Sequence, residues 1–239
     1  MDSLAETPEC RYERKFVVSG VLAHELMSLI RLHPARFSEV HPPRYVNNIY
    51  FDTTAFGNYH DSTEGVARRL KVRARWYGDM LGELHRPILE FKRKQGLVGS
   101  KETHPLRDHV LNPGCDGNRI KSWVLDSNLP ASNARTLARM LPLLLNRYRR
   151  SYWLSADGGY RLTIDSQMEF FAIKRYGNRF LDKRSDRVNR IVELKYGPEL
   201  DDGVCRISNA FPFRMTKSSK YVVGVELLYG GDEEIPMYY

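Results

Sequence analysis

Apolar and polar residues alternate with a period of two through much of this chain, and each alternating run predicts a strand. Over residues 11–18, Arg11, Glu13, Lys15 and Val17 share one face, while Tyr12, Phe16 and Val18 share the other. Ser19 is placed to cap a helix whose stripe is Leu22, Leu26, Leu29 and Ile30, ended by Pro34. Residues 45–52 predict a second strand, Thr53-Thr54 the opening of a short helix, and residues 68–78 a third strand with its turn at Gly78–Gly82. Residues 86–94 alternate again, with Glu90, Lys92 and Lys94 opposite Leu89 and Phe91. Residues 96–118 read as loop, with a short extension at Lys101–Thr103, and helices are expected at 119–128 and at 132–141, the latter capped by Ser132. The pattern then returns to strands at 145–154, 160–170 and 187–195, followed by a short helix near 200–210. Ser219 suits a helix N-cap for the last element, whose β-branched residues also permit a strand.

The polar faces have a shared chemistry. In residues 68–78, Arg69, Lys71, Arg73 and Arg75 fall on one face, at ~6–7 Å intervals, and Leu70, Val72, Ala74 and Trp76 on the other. Tyr148, Arg150 and Tyr152 share a face, as do Arg161, Thr163, Asp165 and Glu169, and Ile191, Glu193 and Lys195. Such faces are either solvated surface or an anion site, because guanidinium groups grip phosphate oxygens bidentately. Cations and carboxylates at matched alternate positions in strand after strand favour the second reading. Closing the sheet with these faces inward makes a hydrated tunnel for a polyanion, with helices packed outside. The expected fold is α+β, an antiparallel eight-stranded barrel, and the 239 residues read as one domain without repeats or linkers.

Composition narrows the partner. The net charge of +8 and a pI near 9.4 favour an anionic ligand. Cys10, Cys115 and Cys205 lie far apart without metal-ligand spacing, so neither a disulfide framework nor a zinc site is expected. The acidic start, Met1-Asp2-Ser3-Leu4-Ala5-Glu6, is unlike a signal peptide, and no apolar run has the ~18 residues of a membrane span, which predicts a cytoplasmic protein.

Eight short motifs carry a family resemblance: Tyr12-Glu13-Arg14-Lys15-Phe16, Tyr50-Phe51-Asp52, Lys71 to Gly78, Glu90-Phe91-Lys92, Tyr148-Arg149-Arg150, Arg161 to Asp165, Glu193-Leu194-Lys195 and Lys217 to Tyr221. Their order from about residue 11 to 230 resembles the VTC polyphosphate polymerase domain of the triphosphate tunnel metalloenzyme (CYTH-like) superfamily. The resemblance implies transfer of the terminal phosphate of ATP, or another nucleoside triphosphate, onto inorganic polyphosphate with Mn²⁺ or Mg²⁺. By position it implies Arg73, Arg75, Arg150, Arg161 and Lys220 as catalytic cations. Lys15, Lys71, Lys92, Tyr148 and Ser219 are implied as substrate ligands and Glu193 as the metal ligand. Each has a plainer alternative, such as a barrel aromatic at Tyr148 or a simple helix cap at Ser219. Tunnel triphosphatases open with Glu-x-Glu-x-Lys, whereas Arg11 stands in the first place here, which weighs against water as the phosphate acceptor. Hydrolysis and non-catalytic sensing of polyphosphate remain open; nucleic-acid binding is disfavoured, because carboxylates interleave the cations and no stacking motif accompanies them.

Overall fold

A computed structural model of the chain describes residues 12–96 and 98–230. The chain order is β1 (Tyr12–Val18), α1 (Ala23–Arg31), β2 (Ser38–Asp52), α2 (Gly57–Thr63), β3 (Arg68–Tyr77), β4 (Gly82–Leu84), β5 (Ile88–Gln95), β6 (Val98–Pro105) and β7 (His109–Leu111). It continues through α3 (Gly117–Leu125), α4 (Ala131–Ala138), β8 (Leu141–Leu154), β9 (Arg161–Ala172), β10 (Lys183–Asp186), β11 (Arg190–Tyr196), α5 (Val204–Asn209) and α6 (Lys220–Tyr229). The fold is mixed α+β. Eight strands follow one hydrogen-bonded path, β1-β11-β9-β8-β2-β3-β5-β6, with β10 attached to β9 and a separate β4–β7 pair. The β1–β11, β11–β9, β2–β3, β3–β5 and β5–β6 ladders are antiparallel. Among the described residues no helix is long and apolar enough to cross a membrane.

The contacts group the chain into two compact units, each made from three stretches. One comprises the described part of Met1–Arg44 with Arg149–Gln167 and Asp186–Ser218. Its core packs Phe16, Val18, Leu26, Ile30, Trp153, Leu162, Ile164, Val192 and Leu194, so the apolar strand faces meet Leu26 and Ile30 of the predicted α1 stripe, whereas Leu22, at the cap, and Leu29 are exposed. The other unit comprises Tyr45–Tyr148, Met168–Ser185 and the described part of Ser219–Tyr239. Its core holds Ile49, Phe51, Val72, Ala74, Trp76, Leu89, Phe91, Trp123, Leu137 and Phe171. In that unit α6 packs closely on the sheet: a Cβ at Gly224 would lie 2.7 Å from Phe170 Cδ1 and 3.1 Å from Leu144 Cδ2.

Several elements differ from the sequence expectation for identifiable reasons. Helix α1 begins after Leu22 rather than Ser19, because Glu25 reaches back to accept the Leu22 N–H at 2.8 Å, while Ser19 Oγ is engaged with Asn189 Oδ1. Helix α4 begins directly after Pro130, which leaves Ser132 in its first turn and not at its cap. Strand β2 starts at Ser38, seven residues early, and runs through Pro42-Pro43; the predicted stretch from Val46 onward is the part that pairs with β3. Residues expected as loop at 96–118 contain β6, which pairs fully with β5 although its polar sequence shows no alternation. Ser219 is the N-cap of α6, its Oγ accepting from Val222 N at 3.5 Å, so the helix wins over the strand.

Candidate functional site: cations held by buried carboxylates

In the unit that contains β3, register stacks like charges side by side. Lys71 on β3 lies opposite Lys92 on β5, and Lys92 opposite Lys101 on β6. Directly opposed residues share a face, and like charges so placed repel, a repulsion offset here at Lys101 by the Glu90 carboxylate. The neighbouring row is Tyr50, Arg73, Glu90 and Thr103. Glu90 is fully buried; Arg73 Nε reaches its Oε2 at 2.5 Å, and Arg75 Nη1 and Lys101 Nζ lie 3.5 and 2.7 Å from its Oε1. Burial disfavours the charged carboxylate, but Arg73, Arg75 and Lys101 outweigh it and hold the Glu90 pKa well below the usual range. Arg73 Nη1 also donates to Tyr50 Oη at 3.3 Å, and Arg75 Nε donates to Asn48 Oδ1 at 2.9 Å. Asn48 is wholly buried, and its Nδ2 has no hydrogen-bond partner among the described residues.

Helix α6 adds the next groups. Its cap, Ser219, accepts a hydrogen bond from Lys71 Nζ at 2.8 Å, and the buried Lys220 ammonium sits 4.8 Å from the Tyr148 ring centroid. The first turn is fixed by Tyr221, whose hydroxyl donates to Asp52 Oδ2 and whose ring stacks on Tyr50 at 5.2 Å. Asp52 also accepts from the Thr53, Asn58 and Tyr59 amides at 2.6, 2.9 and 3.0 Å, so it is the side-chain anchor of both α2 and α6. Burial raises the Asp52 pKa, with those hydrogen bonds opposing the shift.

The other unit carries its own cluster. Across β1, β11 and β9, Lys15 opposes Glu193, which opposes Thr163; Glu13 opposes Lys195, which opposes Arg161. Glu193 is buried, with Arg150 Nη2 at 3.2 Å and Lys195 Nζ at 3.0 Å from Oε2, and Lys15 Nζ at 3.7 Å from Oε1. Arg150 is gripped bidentately by the fully buried Asp165, at 2.5 and 2.6 Å. Lys15 also approaches Glu13 at 2.9 Å and donates to Ser218 O at 3.3 Å. Burial and Glu193 push the Glu13 carboxyl up, but Lys15 and Lys195 prevail and keep its pKa below the ordinary value.

Among the described residues no three His, Cys, Asp or Glu side chains converge into a self-sufficient metal cage. Glu13 and Glu193 nevertheless both approach Lys15 Nζ, at 2.9 and 3.7 Å, and two carboxylates are the protein share of a Mg²⁺ or Mn²⁺ site completed by substrate phosphates. The residues present fit such an ion.

The structure therefore gathers the sequence candidates in two groups. Lys71, Arg73, Arg75, Lys92, Tyr148, Ser219 and Lys220 lie in one unit; Lys15, Arg150, Arg161 and Glu193 lie in the other. Arg161 is exposed at the start of β9, and Arg11 lies outside the described residues. Sequence reasoning placed Glu90 and Asp165 on charged faces but gave them no part. Their signal was available: each is a carboxylate at matched parity with cations, and it is each that holds an arginine. Lys101 and Asn48 carried no such signal, because the first lay in a short extension within a predicted loop and the second is an uncharged amide.

Three comparisons place this geometry among known proteins. The VTC domain model matches residues 10–229. No curated protein matches the chain. Among solved structures, HpAC1 from Hippeastrum, described as having a dominant triphosphatase activity, is 16% identical at a TM-score of 0.50, over 89% of this chain and 95% of that one. PH1819 from Pyrococcus horikoshii OT3 is 11% identical at a TM-score of 0.49, over 90% of this chain and 99% of that one. HpAC1 shares the fold, and the family model spans almost the whole sequence, cations and anchoring carboxylates included. This chain belongs to the VTC domain family.

Proposed function

We propose that the protein is a polyphosphate polymerase, transferring the terminal phosphate of ATP or another nucleoside triphosphate onto a growing inorganic polyphosphate chain. The observation that supports the reading is the alignment of Lys71, Lys92 and Lys101 on the same strand face as the Glu90-anchored Arg73 and Arg75, a concentration of cations that suits a phosphate chain. In this reading Arg73, Arg75, Arg150, Arg161 and Lys220 neutralise charge that spreads over the phosphoryl oxygens in the transition state. Glu90 and Asp165 hold Arg73 and Arg150 by their Nε edges, which preorganises the guanidiniums before substrate arrives. Lys15, Lys71, Lys92, Tyr148 and Ser219 bind and align the chain. Glu193, with Glu13, would hold Mn²⁺ or Mg²⁺, and such an ion would supply charge neutralisation at the substrate phosphates. The acceptor end of polyphosphate arrives already ionised, so no general base is required of the protein. Eight strands closing as a tunnel in one functional domain, and a cytoplasmic location, belong to the same proposal.

The acceptor separates polymerase from hydrolase. Adding short polyphosphate to protein, ATP and Mn²⁺ should raise ATP turnover severalfold, because a cationic site concentrates and aligns the chain end. Turnover that is unchanged or inhibited by the acceptor would favour hydrolysis.

The metal role has its own measurement. Glu193→Gln keeps the side chain's shape and removes its charge, so turnover should fall at least about 100-fold even at high Mn²⁺. Tripolyphosphate binding by calorimetry without metal should persist within roughly tenfold, since an anionic neighbour of the phosphates has been removed. Undiminished turnover would take Glu193 out of the site.

A further inference from the structure

We propose that residues 174–184, a loop running into the start of β10, form a docking surface for a membrane rich in anionic phospholipid. The inference rests on this loop alone and not on the proposed function. The loop contains five cations, Lys174, Arg175, Arg179, Lys183 and Arg184, against one carboxylate, Asp182. Lys174 pairs with Asp182 at 2.9 Å and Lys183 pairs with Glu169. Arg175, Arg179 and Arg184 are exposed and make no ion pair among the described residues. Two large apolar side chains stand out between them, Tyr176 at 66% and Leu181 at 76% exposure.

Their exposure is built in by a well-anchored backbone. Asn178 is buried, its Oδ1 accepting from Lys174 N at 3.3 Å and its Nδ2 donating to Cys115 O at 3.1 Å. Phe180 is buried in the core of its unit. Lys174 O accepts from Gly117 N, and Asp182 O from Ala172 N, each at 2.9 Å. With Asn178 and Phe180 turned inward, Tyr176 and Leu181 are held in water. The Arg175 guanidinium lies 5.4 Å over the Tyr176 ring.

Cations flanking exposed apolar groups match the bilayer boundary, where headgroup phosphates meet the cations and the acyl region accepts the apolar side chains. Arg and Tyr both present an apolar body with a polar tip, as that boundary requires. A nucleic acid would use the arginines and stack on Tyr176, but it would leave Leu181 without a role. That residue favours the lipid.

The test is co-sedimentation of the full chain with vesicles of phosphatidylcholine alone or with added phosphatidylserine. Binding is expected only to the second kind, weakened roughly tenfold or more in Arg175→Glu/Arg179→Glu and similarly in Tyr176→Ser/Leu181→Ser. Unchanged melting temperature and tripolyphosphate affinity in both variants would show that fold and phosphate site are intact. A Tyr176→Trp variant gives an independent readout: brominated-acyl phosphatidylserine should quench it beyond the wild type. Vesicle binding that survives either double substitution, or no added quenching, overturns the proposal. If the charge variant loses both vesicles and duplex DNA while the apolar variant keeps both, the loop is a polyanion surface instead.

Discussion

Replacing Glu90 by glutamine is expected to lower the melting temperature by roughly 6–20 °C, from a loss of about 3–5 kcal/mol at ~2–4 °C per kcal/mol for a chain of this size. The reason is local. Glu90 is fully buried and is the shared counter-ion of Arg73, Arg75 and Lys101. Glutamine keeps the volume but leaves those cations facing one another without compensation. The pH dependence follows from the depressed pKa of Glu90. A carboxylate with a lowered folded-state pKa contributes its stability above its unfolded value, near about 4.3, and loses it as pH falls toward the folded one. The gap between wild type and Glu90→Gln should therefore be full at neutral pH and narrow progressively below about pH 4.3. Tripolyphosphate should close part of the gap at pH 7, because added phosphate oxygens replace the missing counter-charge. Scanning calorimetry with and without tripolyphosphate reads all three effects. A variant as stable as wild type would mean that the cations of this cluster are compensated by other groups.

The same residue shows how far the sequence carried the account. Parity of two placed Lys71, Arg73 and Arg75 on one strand face and Val72, Ala74 and Trp76 on the other, and the core contains those three apolar residues. It likewise put Glu13 with Lys15 on one face of their strand and Glu193 with Lys195 on one face of theirs, and the β1–β11 register brings these residues opposite one another. Side-chain alternation is a local property, so it was legible. Pairing between strands is not. The opposition of Lys71, Lys92 and Lys101 depends on the register of three strands, one of which, β6, has no apolar alternation to announce it. The capture of Arg150 by Asp165 depends on the β8–β9 neighbourhood in the same way. Helix starts differed where a carboxylate took the amides: Glu25, inside α1, accepting from Leu22, and Asp52 accepting from Asn58 six residues on in α2. Short-range propensity favoured Ser19, but a carboxylate makes the stronger acceptor for an amide at a helix N-terminus, while Thr53 Oγ1 does accept from Gly57 N at 2.9 Å beside Asp52.

The product made from ATP bears most directly on the central claim. ATP and Mn²⁺ incubated with the purified protein should yield long anionic chains, resolved as a ladder on a gel, stained by a polyphosphate dye and erased by exopolyphosphatase. Arg73→Ala should lower ladder formation about 100- to 1,000-fold, the usual cost of one preorganised transition-state donor, and so serves as the blank. The expected chemistry is a displacement: the acceptor's terminal oxygen forms the new P–O bond as the bond to the departing nucleoside diphosphate breaks, so ADP accumulates in step with chain phosphate. Equal ADP and chain phosphate, with little free orthophosphate, is the result this account predicts. ADP matched instead by orthophosphate, with no ladder at any acceptor concentration, would contradict it and make the protein a triphosphatase.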